Sequence, residues 1–219
     1  MTVQFAPADT RTLSTRLREE TREAHESAET SPFMARLVKG QVTREDLRNL
    51  TAQLVVVYTT LEEVSREMAD DPVFRCFHDP ALTRLATLKA DLAALSLRGE
   101  ADVVVTDAAK AYAARLREVG TNAPALVAHH YTRYLGDLSG GQALGAIFGR
   151  ALGLQAGAPG ISFYRFETIE KVKPYKGGYR AALDTAPMGE AEHDAAVAEA
   201  IIAFQLNQDV FSSLEELAA

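Results

Sequence analysis

Two residues near the N-terminus have the types and the spacing of a metal ligand and its hydrogen-bonding partner. His25 lies among apolar residues at helical spacing, and Glu29 follows one turn later on the same helix face. A carboxylate in that place can accept a hydrogen bond from the imidazole nitrogen that faces away from a metal, and so fix the tautomer of a metal-bound histidine. A histidine on an apolar face is also compatible with a core position, so the pair leaves both interpretations open.

Asp137 is the second candidate, because it stands among glycines in the segment from Ala123 to Arg150. Gly136 and Gly140 share one helix face, and each glycine in a helix interior costs about 1 kcal/mol relative to alanine. A bare face lets a flat ligand lie against the backbone, with Asp137 as the one polar group beside it. Close packing of two helices through small residues, with Asp137 at a kink, explains the same pattern.

The elements that must position these residues are helices. Asn122 or Ala123 can cap a helix with Pro124 in its first turn, and apolar residues recur at helical spacing as far as Arg150. Other helices are predicted to carry Leu13 to Ala28, to start at Ser31 and Thr43, and to cover about residues 81–97, 106–119, 175–183 and 189–217. The fold class is therefore all-α, with a single domain over residues 13–217 after a flexible segment of residues 1–12.

The composition and the chain ends narrow the class of protein. The chain has 219 residues, of which 47% are hydrophobic, and its net charge of −7 gives no basic surface for nucleic acid. No secretory leader, no apolar run of membrane-spanning length and no hydrophobic tail after LEELAA is visible, which predicts a cytoplasmic protein without a membrane anchor. Cys76 is the single cysteine, and we interpret it as a small buried hydrophobic residue.

Several segments together resemble one protein family. YTRYLGDLSGGQ, preceded by LVAHH, closely resembles the distal-helix signature of the biliverdin-producing heme oxygenases, in particular the soluble bacterial ones. REAHESAE, FYRFE followed by YKGGYR, and AFQLNQDVF resemble further segments of that family, in the same order. The resemblance runs from about Leu13 to Leu217. It implies a multi-helix fold that holds heme between a proximal helix and the glycine-bearing distal helix.

The resemblance gives roles to the candidate residues. His25 looks like the axial ligand of the heme iron, with Glu29 beside it. Asp137 matches a family residue that holds an ordered water next to iron-bound dioxygen; that water supplies the proton that makes ferric hydroperoxide. The glycine backbone then crowds the oxygen toward a meso carbon, so that the ring is hydroxylated. Tyr58 and Arg133 match the polar network around that aspartate.

Further positions match heme-binding residues of the family. Three cations and a tyrosine match positions near the anionic propionates: Arg18, where the family often has lysine, Tyr131, Lys176 and Arg180. Taken singly, each cation is compatible with a solvated surface. The remaining matches line the expected pocket: Gly136, Ser139, Gly140, Phe204, Asn207 and Phe211.

The other histidines are poor candidates for the iron. If the glycine face covers the heme, His129 lies seven residues from Gly136, about 10 Å along the helix axis, and cannot reach the same iron. We interpret His129 and His130 as packing or hydrogen-bonding residues, and His78 and His193 as loop and surface residues.

The implied reaction is oxidative cleavage of heme, as substrate and cofactor, by O2 and reducing equivalents to biliverdin, carbon monoxide and ferrous iron. The propionate-binding cations resemble those of members that open the α-meso bridge, which predicts biliverdin IXα. A heme carrier or sensor on the same fold without turnover is the alternative, and Asp137 favours the enzyme. A di-iron oxidase needs two Glu-x-x-His motifs, and the chain has one, Glu190 to His193.

Electrons must come from a partner, since nothing resembles a flavin- or nicotinamide-binding segment. Cations fall in the two segments assigned to the propionate edge, which predicts a basic rim that docks an acidic ferredoxin, supplied by its reductase. Its members are Arg16, Arg18, Arg22, Lys171, Lys173, Lys176 and Arg180. Ordinary solvated charges are the alternative.

Overall fold

The computed structural model describes residues 10–98 and 100–218, which form helices and no strands. Three 3-10 turns, Phe74–Cys76, Pro80–Leu82 and Ser162–Tyr164, accompany the α-helices. The α-helices of the described residues are α1 (Leu13–Glu20), α2 (Arg22–Glu29), α3 (Pro32–Val38), α4 (Arg44–Glu67), α5 (Leu85–Leu95), α6 (Asp107–Val119), α7 (Ala123–His130), α8 (Gln142–Leu152), α9 (Val172–Thr185) and α10 (Glu190–Ala218). The all-α fold class is confirmed, and most of the predicted N-terminal segment of residues 1–12 lies outside the described residues.

Residues 123–152 form one continuous helix, which we call the central helix. It joins α7 to α8 through two π turns, Tyr131–Leu135 and Asp137–Gly141. The prediction of one long, largely buried helix is confirmed, and the Asn122 side chain caps its start by accepting a hydrogen bond from the Ala125 N–H at 3.2 Å. Apolar spacing did not predict the π turns, which hold one more residue per turn than an α-helix and often occur at functional sites.

Two predicted helix boundaries are wrong for local reasons. The first predicted helix is divided at Thr21, whose hydroxyl donates to the Leu17 carbonyl at 2.5 Å and competes with the backbone ladder. The helix predicted from residue 81 begins at Leu85, because Asp79 caps a separate 3-10 turn by accepting from the Ala81 N–H at 2.8 Å. Ser31 and Thr43, by contrast, cap α3 and α4 as predicted.

Packing of the long helices places α2 opposite the central helix. α10 packs against α7 and also against α1, α2 and α3, while α4 packs against α5 and α6. The core between them contains large, fully buried aromatic side chains, among them Phe33, Tyr58, Tyr134 and Phe148. The N-terminal helices are therefore held on α10, and a cavity remains between α2 and the middle of the central helix.

The interpretation of Cys76 as a buried residue is wrong. Cys76 is exposed, because the 3-10 turn Phe74–Cys76 buries Phe74 and the following Phe77 and directs the intervening side chains outward. Among the described residues, no helix is both long enough and apolar enough to cross a membrane.

Candidate active site

The cavity has a volume of about 430 Å³, which suits a cofactor-sized ligand. Its walls come from α2, the central helix, α4 and α10, and Arg180 of α9 also borders it. The polar lining residues are His25, Glu29, Tyr131, Thr132, Arg133, Asp137, Ser139, Arg180 and Asn207. Most of the sequence-predicted site residues thus lie around a single space.

His25 projects from α2 into the cavity. Its side chain is 50% exposed, and its ring meets the Phe204 ring edge to face at a centroid distance of 5.4 Å. Glu29 lies on the Nδ1 side of the imidazole, with Oε2 at 3.6 Å, which is an ion-pair distance and too long for a hydrogen bond. Nε2 is therefore the nitrogen that is directed away from Glu29.

The glycines of the central helix have two different surroundings. A Cβ atom added at Gly136 or Gly140 would meet nothing within 4 Å, and both residues border the cavity. A Cβ at Gly145 would lie 2.6 Å from Cβ of Tyr164, which is impossible without a shift. The bare face predicted at Gly136 and Gly140 is confirmed, and the alternative of close helix packing at these two glycines is wrong. Close packing occurs further along the helix, at Gly145, against Tyr164 of a 3-10 turn.

A buried polar network stands on the cavity side of the central helix. The Tyr58 hydroxyl, from α4, donates a short hydrogen bond to Oδ2 of Asp137. Arg133 Nε donates to the same hydroxyl at 3.3 Å, its Nη1 donates to Oδ1 of Asn207, and its Nη2 lies 3.6 Å from Asp137 Oδ1. The direction of donation runs from Arg133 through Tyr58 to Asp137.

The electrostatics of this network follow from its burial. Desolvation raises the pKa of Asp137, although the Arg133 charge and the Tyr58 hydrogen bond oppose the shift. Desolvation also raises the pKa of Tyr58 well above its usual value, so Tyr58 keeps its proton and remains the donor. Burial lowers the pKa of Arg133, but Tyr58 and Asp137 outweigh it and keep the guanidinium charged.

The predicted propionate-binding cations are only partly brought together. Arg180 borders the cavity beside Tyr131, and its charge opposes the rise in the Tyr131 pKa that burial causes. Lys176 Nζ donates to Ser139 Oγ at 3.2 Å, across the edge of the cavity. Arg18 is 72% exposed, lies outside the cavity lining and pairs with Glu19 at 3.3 Å.

The predicted basic rim is smaller than the sequence suggested. Arg16 is not part of it, because its side chain is buried and forms ion pairs with Glu20 at 3.0 Å and Asp194 at 2.8 Å. On α1 and α2, five acidic residues also outnumber the three arginines. The exposed cations concentrate instead on α9 and at Lys171 just before it.

The two histidines of the central helix are structural. His129 is fully buried, and its Nε2 is 2.8 Å from Glu199 Oε1. His130 is also buried, and its Nδ1 is 2.7 Å from the Tyr179 hydroxyl. Neither lines the cavity, which confirms that both are packing or hydrogen-bonding residues.

Sequence reasoning missed most of the apolar lining of the cavity. Leu50 and Leu54 on α4, Met34 on α3, and Phe163 and Tyr164 after the central helix all border it. Each of them fits a core position on its own helix or loop, so helical periodicity contains no signal that separates it from the core.

The fold and this cavity define a class of all-helical proteins that enclose a ligand between a histidine-bearing helix and a glycine-bearing helix. The family model for heme oxygenase matches residues 11–213. This chain belongs to the heme oxygenase family.

Relatives with names and structures support that assignment over most of the chain. Heme oxygenase 1 of Synechocystis sp. is 38% identical over 205 residues, which are 93% of this chain and 85% of that protein. Human heme oxygenase 1 is 40% identical over 208 residues, 94% of this chain and 72% of that protein. The crystal structure of Synechocystis heme oxygenase-1 in complex with heme has a TM-score of 0.87 at 37% identity, and it covers 94% of each chain. The heme oxygenase of Leptospira interrogans has a TM-score of 0.86 at 35% identity, covering 93% of this chain and 100% of that one.

Proposed function

We propose that this protein cleaves heme with O2 and reducing equivalents to biliverdin, carbon monoxide and ferrous iron. The observation that carries the proposal is one cavity with a single imidazole on one wall and a buried carboxylate network on the other. The cavity fits a flat macrocycle, because Gly136 and Gly140 open onto it without any atom where a Cβ would be. When bound, heme supplies an iron that binds O2 and the ring carbon that is oxidised.

His25 is the proposed iron ligand. Its Nε2 is the nitrogen left free for the iron, since Glu29 lies on the Nδ1 side of the ring. The Phe204 ring fixes the plane of the imidazole from the side. A neutral imidazole suits a reaction in which the O–O bond must not be cleaved early, whereas a thiolate would favour cleavage.

Asp137 is the proposed proton-handling residue on the opposite wall. Tyr58 occupies Oδ2 as a donor, and Arg133 is too distant from Oδ1 for a hydrogen bond, so Oδ1 can accept from a water in the cavity. Burial raises the pKa of Asp137, which makes the carboxylate a stronger acceptor for such a water. A carrier needs no such network, which is why the enzyme is favoured over a heme carrier or sensor.

Arg180 and Tyr131, with Lys176 at the rim, are proposed to hold the heme propionates. Arg180 and Tyr131 both border the cavity and are close enough for the Arg180 charge to act on Tyr131, while Lys176, one turn earlier on α9, contacts the lining residue Ser139. Cations on one helix would hold the propionates on one side and so orient the heme in its own plane. With this orientation we propose that the product is biliverdin IXα, and that Arg18 contributes only from outside the cavity.

The decisive experiment combines heme binding with product analysis. The wild-type protein with heme, O2 and ascorbate is expected to release biliverdin and carbon monoxide. Recovery of intact heme would make it a carrier. His25→Ala is expected to lose the histidine-ligated absorption spectrum and to slow turnover at least about tenfold. Mutation of a residue that only hydrogen-bonds to a metal ligand already has an effect of that size, and removal of the ligand itself should have a larger one. Added imidazole should restore the spectrum.

The control for this experiment is His193→Ala, which changes a histidine of α10 that is outside the cavity. It should leave both the spectrum and turnover unchanged. An unchanged spectrum in His25→Ala would show that another residue binds the iron.

We also propose that the electron donor is an acidic ferredoxin that docks at the exposed cations of α9. Lys171 and Lys173 are exposed at the start of that helix, and the charges of α9 are mostly positive. Reversal of both lysines to glutamate is expected to slow ferredoxin-driven turnover about tenfold at low salt, because steering is electrostatic. Ascorbate-driven turnover should not change.

A matched control is Lys89→Glu, on α5 and away from the cavity. It should leave turnover with ferredoxin unchanged. Equal slowing with ascorbate and ferredoxin, or an absence of salt dependence, would contradict docking at α9.

A further inference from the structure

One buried hydrogen bond joins the central helix to α9. His130 Nδ1 and the Tyr179 hydroxyl are 2.7 Å apart, and the two rings stack with an interplanar angle of 8° and a centroid distance of 5.8 Å. Phe74 and Phe77 enclose the pair from outside, each 5.4 Å from one of its rings. Both residues are almost fully buried, so solvent does not replace the bond if it is lost.

The residues that follow each partner in sequence border the cavity. Tyr131 comes directly after His130, and Arg180 comes directly after Tyr179. Adjacent residues on a helix differ by about 100° in direction, so a pair that faces the core can place its neighbours toward the cavity. The His130–Tyr179 bond therefore joins the two stretches of backbone that carry Tyr131 and Arg180.

The other polar contacts of α9 go mostly to elements other than the central helix: Asp184 accepts from the Ser14 N–H of α1 at 2.8 Å, and the Tyr175 hydroxyl donates to Asp79 at 2.6 Å. Tyr179 and Leu183 are its only buried residues within the part of the chain that the structure describes. Gly177 and Gly178 precede Tyr179, and a Cβ at either would meet nothing within 4 Å, so no tight packing explains them. Glycines in a helix interior weaken the helix relative to alanine. Lys176 reaches the central helix only through an exposed contact with Ser139.

We propose that the His130–Tyr179 pair is a positioning device that sets the in-plane orientation of heme, and thereby the meso bridge that is cut. This inference rests on the proposed function and adds two residues that do not touch the ligand. Without the bond, α9 can shift, the Arg180 side chain moves relative to Tyr131, and the propionates lose their preferred end of the cavity. The heme then populates a second orientation.

Tyr179→Phe is the most direct test, because it removes the hydroxyl and leaves the ring stacking in place. Proton NMR of the cyanide-ligated ferric complex reports the ratio of the two in-plane heme orientations without turnover. We expect the minor-to-major ratio to rise about fivefold, the change that follows from the net value of one buried hydrogen bond. The ratio of biliverdin isomers, measured by chromatography, should rise in parallel.

Two changes at His130 separate the hydrogen bond from the packing. His130→Leu should shift the orientation ratio as Tyr179→Phe does, and the double variant should shift it no further, because both remove the same bond. His130→Asn keeps an amide, which can donate or accept a hydrogen bond, close to the position of Nδ1, and its ratio should stay near that of the wild type.

Tyr175→Phe is the matched control on the same helix. It removes a hydrogen bond of similar length, 2.6 Å to Asp79, which does not involve the central helix. We expect it to leave the orientation ratio unchanged. An unchanged ratio in Tyr179→Phe, or an equal shift in Tyr175→Phe, would overturn the proposal.

The proposed function can fail without deciding this inference. If the wild type releases no biliverdin, the NMR orientation ratio still tests the pair. If heme does not bind, amide hydrogen exchange along α9 in the heme-free protein tests it: Tyr179→Phe should speed exchange around Arg180, and Tyr175→Phe should not. Equal exchange in the two variants would then overturn it.

Discussion

At the residue scale, the central fact is the order of donors around Asp137. Arg133 donates to the Tyr58 hydroxyl, which in turn donates to Oδ2 of Asp137, and Asp137 borders the cavity. Tyr58 does not border the cavity itself. It acts through Asp137, by lowering the pKa of that carboxyl against the effect of burial.

Tyr58→Phe is therefore expected to impair turnover while heme still binds. Loss of a hydrogen bond to a charged group is worth about 1.5–3 kcal/mol, which corresponds to a roughly ten- to hundredfold slower release of biliverdin. The pKa of Asp137 should rise further. Heme titration and product formation with ascorbate measure the two effects separately.

Tyr112→Phe is the control, because the Tyr112 hydroxyl is buried and has no hydrogen-bond partner among the residues that the structure describes. It removes the same atom from another buried tyrosine and should leave turnover unchanged. Wild-type turnover in Tyr58→Phe would show that Asp137 works without its donor.

At the element scale, the same substitution is expected to have opposite effects on stability at two glycines of the central helix. Gly145→Ala should destabilise the protein by about 1–3 kcal/mol, because the new methyl group overlaps Tyr164. Gly136→Ala should not destabilise the protein, since the new Cβ meets open space. The higher helix propensity of alanine is expected to raise the free energy of unfolding by up to about 1 kcal/mol. Its methyl group would stand in the cavity and should weaken heme binding.

Chemical denaturation of both variants and heme titration of Gly136→Ala check this pair. A loss of stability in Gly136→Ala comparable to that of Gly145→Ala would mean that its face is packed. Unchanged heme affinity would mean that heme lies elsewhere.

These glycines also show where sequence reasoning stops. The spacing correctly predicts a long helix with a bare face, because caps, periodicity and glycine costs are local properties. Gly136 and Gly145 look alike in the sequence, and they differ only because Tyr164, far along the chain, packs on one of them. For the same reason the sequence suggests His25 and Asp137 as candidates but gives no sign that Leu50 and Leu54 border the same cavity.

The charges of the N-terminal helices show a related limit. Counting cations along the sequence put Arg16 on the surface, whereas its burial depends on Asp194, which α10 brings to it. The sequence assigns neighbouring residues to a face of their helix, but it does not show which ion pairs form between helices that are distant in the chain.

At the scale of the whole molecule, burial of a neutral histidine makes stability depend on pH. Burial, with a smaller effect from the nearby charge of His78, lowers the pKa of His130 to about 3. In the unfolded chain the same imidazole binds a proton below about pH 6.5. The unfolded state therefore binds more protons between these values, and the stability present above pH 6.5 is lost as the pH falls toward 3.

We expect the free energy of unfolding to fall by up to about 1.4 kcal/mol per pH unit from His130 alone, or by about 2 kcal/mol between pH 7 and pH 5. His130→Asn should remove that part of the slope, and His193→Asn should not. Urea unfolding at several pH values measures this slope.

The range above pH 4.5 is the informative one, because Glu199 adds its own slope at lower pH. Burial raises the pKa of Glu199, but hydrogen bonds from His129 and Arg115 outweigh that effect and lower the pKa to about 2. An equal slope in His130→Asn and the wild type would contradict the assignment.

The π turns of the central helix have a consequence for insertions and deletions. Each π turn contains one residue more than a regular turn, and deletion of one residue from Asp137–Gly141 would let the backbone return to ordinary α-helical hydrogen bonding. Because the wide turn already absorbs the extra residue, the helix after the deletion would keep its register, whereas a deletion in a regular α-helical turn rotates everything after it by about 100° around the helix axis. Gly145 would therefore stay against Tyr164, and the change would be confined to the cavity wall at Asp137–Gly141. The same deletion placed in α8 would instead rotate the residues beyond it away from their packing partners, so a change in length should disrupt the site in one place and the core in the other.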